Sequence, residues 1–124
     1  MRNIKINKSE FQEQREVFQW AEFSLRKYPC LKYMNASLNG FRLTFGQARK
    51  AKVSGLKKGV PDICLPVKNK TFGGLYIEMK SKKGRLSTEQ KDFIEFLKTQ
   101  NYMAIVCHGS REAINVIEGY LGDI

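Results

Sequence analysis

Asp62, Glu78 and Lys80 are of the types, and have the spacing, to hold a divalent cation against a phosphate ester. They stand in Gly59-Val60-Pro61-Asp62 and Ile77-Glu78-Met79-Lys80. Between Leu31 and Arg85 the two carboxylates are the only acids among thirteen lysines and arginines, a local excess of eleven positive charges. Elsewhere nine bases face ten acids, so the formal charge of +10 comes from this one segment. A surface that tracks a polyanionic backbone carries such a bias. A solvated lysine-rich face would explain the bases. It would not explain two acids kept inside a field that otherwise excludes negative charge, which suggests that they are retained for a cation.

Strand alternation over 75–80 places Leu75, Ile77 and Met79 on an apolar side and Tyr76, Glu78 and Lys80 on the other. On that second side Glu78 can hold a hard cation, while Lys80 can orient a water or neutralise charge on an attacked phosphoryl group. A short strand is expected at Asp62–Leu65, with Pro61 at its entry, where no ladder bond is lost. If that strand pairs beside 75–80, both carboxylates can converge on one octahedral magnesium ion that keeps several waters and binds the phosphate. Glu-x-Lys and Pro-Asp are each common by themselves. Joined by a turn of this length inside the basic segment, they form a more specific signal.

The elements that must position these residues read as helix, strand, basic connector, two strands, helix, strand, helix. The first helix is expected from the Ser9 cap to about Lys27, before Pro29. Phe11, Val17, Phe18, Ala21 and Leu25 share its inward arc, extended by Trp20 and Phe23, and Glu13 falls inside that arc. An inward acid either satisfies the dipole of its own first turn or reaches the cation site as a third carboxylate. Residues 31–36 read as a strand and 37–40 as a turn, followed by a short basic helix over 45–53 closed by Ser54-Gly55. Arg49, Lys50, Lys52, Lys57, Lys58, Lys82, Lys83 and Arg85 are expected to hold phosphates on either side of the site. Ser87-Thr88-Glu89-Gln90 opens a helix as a capping box, with Phe93, Phe96 and Leu97 inward. That use of the Gln90 side chain competes with a role in the site. A buried strand over 102–107 and a last helix capped by Ser110 complete the scaffold.

A chain of 124 residues fits a single domain spanning 1–124. No stretch approaches membrane-span length, and the first eight residues lack the apolar run of a secretory signal. A cytosolic protein with no membrane partner is expected, in a bacterial host cell if the chain is phage-encoded. Cys30, Cys64 and Cys107 read as buried reduced thiols, and Cys107-His108 has no partner at zinc-ligand spacing.

In order along the chain, Glu13-Gln14 with Trp20-Ala21, Asn39-Gly40, Gly59-Val60-Pro61-Asp62, Gly74 to Lys80, Gly84-Arg85-Leu86-Ser87 and Glu89-Gln90 resemble the VRR-NUC domains of the PD-(D/E)XK nuclease superfamily. The likeness is to the stand-alone phage form, over nearly the whole length. It implies an α/β restriction-endonuclease-like core, a mixed central β-sheet flanked by α-helices. It also implies Asp62, Glu78 and the Met79 carbonyl as ligands of Mg2+ or Mn2+, Lys80 as the base-like catalytic residue, Gln90 as a polar pocket partner and a first-helix glutamate completing the site. Glu10, Glu13 and Glu16 all lie nearby, and Glu13 best satisfies both pattern and helical geometry. The expected activity is structure-selective endonucleolytic hydrolysis of DNA, since no separate base-reading module is present. Symmetric cutting of a branched duplex needs two sites, so a homodimer resolving Holliday junctions is expected. The alternatives are a noncatalytic basic DNA-binding protein and a flap, nicking or restriction-type endonuclease of the same superfamily.

Overall fold

The computed structural model describes residues 8–124. Helix α1, Glu10–Phe23, begins at Ser9, whose hydroxyl accepts from the Gln12 amide while the Gln12 side chain returns the bond. It ends four residues short of the expected Lys27. The segment read as a strand over 31–36 is mostly a 3₁₀ turn, Pro29–Tyr33, with only Asn35–Ala36 paired as β1. Proline at the first position of a helical turn has no amide to satisfy there, so Pro29 starts this turn. Helix α2, Phe45–Val53, is the short basic helix expected there and is capped by Thr44. Strand β2 is Ile63–Leu65 and β3 is Leu75–Lys80. They are followed by α3, Thr88–Thr99, by β4, Met103–His108, and by α4, Ser110–Leu121.

The four strands form one mixed sheet in the order β1-β2-β3-β4. β1 and β2, and β2 and β3, run antiparallel; β3 and β4 run parallel, with α3 as their crossover. Helices α1 and α4 pack on one face, where Val17, Ile77, Met79, Ala113 and Ile117 are fully buried. Helix α3 covers the other with Ile94 and Leu97 against Tyr76, Ala104 and Val106. The expected α/β core of a mixed sheet between helices is therefore what forms. Three apolar residues expected to point inward do not: Phe11, Phe23 and Phe96 are largely exposed. In α3 the buried residues are Ile94 and Leu97, leaving Phe96 on the outside.

All three cysteines are free, Cys107 buried and the others half-buried. Burial pushes the Cys107 thiol up to about 12, which leaves it unreactive at neutral pH. Among the described residues no helix is long and apolar enough to cross a membrane.

A carboxylate pair at the end of the central strands

Strand register explains why two acids sixteen residues apart meet. Ile63 pairs with Ile77 in the antiparallel β2–β3 ladder, so the next position out sets Asp62 opposite Glu78 on the same side. The two lock each other's backbone: the Asp62 amide donates to Glu78 Oε2 at 3.2 Å and the Met79 amide donates to Asp62 Oδ2 at 2.8 Å. Glu78 is the only buried charged residue among those described, with 2% of its surface exposed. Desolvation raises its carboxyl well above the usual range, the neighbouring Asp62 raises it further, and Lys80 opposes both. Lys80 follows on the same face of β3, half-buried at the strand end.

On that face α3 covers Tyr76, Glu78 beyond it is itself buried, and Lys80 at the strand end is half-buried. The chemical side expected for β3 is therefore confined to its outer half. The loop that delivers Asp62 rests on the first turn of α3. Gly59 has φ +91°, and a Cβ there would meet the Glu89 carbonyl oxygen at 2.4 Å, so only glycine fits. Asn39 ties the same loop down, its side-chain amide donating to the carbonyls of Lys57 at 2.9 Å and Val60 at 3.3 Å.

Two expected site residues have other work. Glu13 is turned inward as its position on α1 requires, but it meets α4, where its Oε2 accepts from the Ser110 amide. Glu16 accepts from the Ser110 hydroxyl beside it. Gly109, at φ +105°, stands at the cap position of α4 and brings no side chain to that role, so Glu13 of α1 supplies the cap that Ser110 was expected to give. The dipole that Glu13 satisfies is thus that of a helix 97 residues away along the chain. Gln90 closes the capping box, its Oε1 accepting from the Ser87 amide at 2.9 Å. Its amide nitrogen is not used in that bond.

The first-helix carboxylate next to the pair is Glu10, one turn earlier than Glu13. Its Oε1 accepts from the Ser81 amide at 3.2 Å, just past Lys80. Glu10, Phe11, Gln14, Ser37, Phe41 and Asp62 line a cleft of about 60 Å³. Ser37 pairs with Asp62 across β1, its amide donating to the Asp62 carbonyl at 2.9 Å. Its hydroxyl is buried and has no hydrogen-bond partner among the described residues. Ser37 reads in sequence as a turn residue, and only strand pairing brings it into line with the two acids.

These donors fit a hard divalent cation. Among the described residues no three His, Cys, Asp or Glu side chains gather as a closed ligand cage. Magnesium does not require one, since it binds through one or two carboxylates and keeps its waters. A cleft of about 60 Å³ has room for several of them. The orphaned Ser37 hydroxyl supplies a contact such an occupant would satisfy. Neither Asp62 nor Glu78 is in an ion pair, and nor is any of the thirteen bases from Lys32 to Arg85, among the described residues. Arg49, Lys50, Lys52, Lys57, Lys58, Lys82, Lys83 and Arg85 are all exposed.

The family model for the VRR-NUC domain matches residues 3–111 of the chain. The chain belongs to the VRR-NUC family. A solved structure described as a VRR_NUC domain protein is similar to it at 28% identity and a TM-score of 0.79, the match covering 94% of this chain and 91% of the other. No curated protein matches the chain. Membership makes this VRR-NUC domain one of a family of nucleases. Asp62 and Glu78, which the resemblance implied as ligands, stand opposite each other, with Lys80 two residues on along β3.

Proposed function

We propose that this VRR-NUC domain is a metal-dependent endodeoxyribonuclease that cuts branched DNA, acting on four-way junctions as a homodimer. The observation that carries the reading is the reciprocal bonding of Asp62 and Glu78 beside Lys80, in a basic surface where neither acid is in an ion pair among the described residues. In this reading Asp62, Glu78 and the Met79 carbonyl hold Mg2+ or Mn2+, and Glu10 takes the place first given to Glu13. Bound there, the cation supplies Lewis-acid polarisation of the scissile phosphoryl group. Lys80 orients the attacking water and offsets the charge that grows on the phosphoryl oxygens. The Ser37 hydroxyl donates to water or phosphate within the cleft. Lys57, Lys58, Lys82, Lys83 and Arg85 hold the backbone on either side, by contacts that position DNA without reading its sequence.

A noncatalytic DNA-binding protein would need its acids only to pair with lysines, and these do not. The test is to offer four-way junction, flap and linear DNA to wild type and Lys80→Ala, with and without Mg2+. Junction cleavage that needs both the lysine and the metal supports the reading; no product under any condition overturns it. Solution mass with cleavage mapping decides the oligomer. A monomer making single unpaired nicks removes the resolvase reading and leaves a nicking enzyme.

A further inference from the structure

Helix α2 has no buried residue, and among the described residues no other helix or strand packs along it. A free nine-residue helix is marginal in water, where most helical stability comes from packing of one face. The half-buried Ala51 marks the side nearest the body. At about 100° per residue, Phe45, Arg49, Lys52 and Val53 share the outward arc. Phe45 is 89% and Val53 82% exposed, and no acid lies between Leu31 and Asp62. An apolar ring set among cations on an unpartnered face is poor design for water and good design for single-stranded nucleic acid. There, bases stack on aromatic rings while cations follow the phosphates. The charge decides between occupants: a second copy would bring its own Arg49 and Lys52 against these, whereas a polyanion complements them. The helix is also close to the site along the chain. Phe41, in the strap that leads into α2, lines the cleft with Glu10 and Asp62.

Building on the nuclease reading, we propose that α2 is a stacking arm on which Phe45 receives an unpaired base next to the scissile phosphate, so that the arm selects branched over continuous duplex. Arg49 and Lys52 hold the flanking phosphates and contribute to every DNA alike.

Binding is measured in EDTA to a junction carrying 2-aminopurine at its branch point, to the matching single strand and to the linear duplex, for wild type, Phe45→Ala, Phe45→Trp and Arg49→Ala. Phe45→Ala is expected to weaken junction and single-strand binding by roughly 5- to 150-fold. Duplex binding should be unchanged and the 2-aminopurine quench lost, with Phe45→Trp restoring both. Arg49→Ala should weaken all three alike and make the salt dependence shallower by about one phosphate. An unchanged junction-to-duplex ratio in Phe45→Ala overturns the arm while leaving wild-type cleavage, and hence the nuclease reading, standing. A change of solution mass in Phe45→Ala overturns it too, because the face then serves a second copy. A wild type that binds none of the three DNAs removes the arm, while the nuclease reading is decided separately by cleavage with Mg2+.

Discussion

Asp62 and Glu78 pose an electrostatic problem that a cation solves. Ionising a carboxyl whose folded pKa is raised costs folding free energy. The metal-free protein should therefore hold its full share of this stability below the ordinary carboxyl value of 4.5 and lose it as pH rises through the higher folded value. Thermal melts against pH in EDTA are expected to show that decline. Glu78→Gln should flatten it and gain on the order of 1 kcal/mol at neutral pH, a few degrees in Tm. Mg2+ should raise the wild-type Tm and leave that of the variant nearly unmoved. For the chemistry, Lys80→Ala is expected to lower cleavage about 10²- to 10³-fold with DNA affinity retained. The two first-helix acids separate cleanly. Glu10→Gln should lower cleavage with Tm held, whereas Glu13→Gln should cost about 1–2 kcal/mol of stability and leave the rate per folded molecule intact.

At the scale of elements, local patterns were legible and distant partnerships were not. The Ser9 cap, the Ser87 capping box, the two faces of β3 and the basic helix at 45–53 are written in neighbouring residues, and all of them form. The inward direction of Glu13 was readable from helical period alone. Its partner was not, because the Ser110 amide belongs to an element at the other end of the chain. Ser37 was hidden for the same reason, since it matters through β1 pairing, and Asn39 stood out only in the family pattern while its partner, a loop eighteen residues on, did not show. Pro29 misled because α1 ends six residues before it, at Phe23, and the ring starts a 3₁₀ turn where a strand was expected. Gly59 carries the most exacting constraint of this kind. Gly59→Ala combines a positive φ with a 2.4 Å approach to the α3 backbone, so a loss of roughly 2 kcal/mol or more is expected on chemical denaturation, together with displacement of Asp62 and reduced cleavage.

For the whole molecule, the unpaired bases determine how the domain meets DNA. With eight exposed lysines and arginines on the segments that flank the site, and about six of them on phosphates, affinity should fall roughly 10³-fold between 50 and 200 mM salt. A titration showing almost no salt dependence would mean that these side chains do not touch the backbone. The molecule's two acids in that field owe their meeting to strand parity, since Asp62 faces Glu78 only while Ile63 stays opposite Ile77. Side chains alternate along a strand, so one residue inserted into or deleted from 62–65 would carry a carboxylate through the sheet to the α1 side. Such a variant would keep its helices and its basic surface and still be inert, a frameshift in three dimensions that no single side-chain replacement would repair.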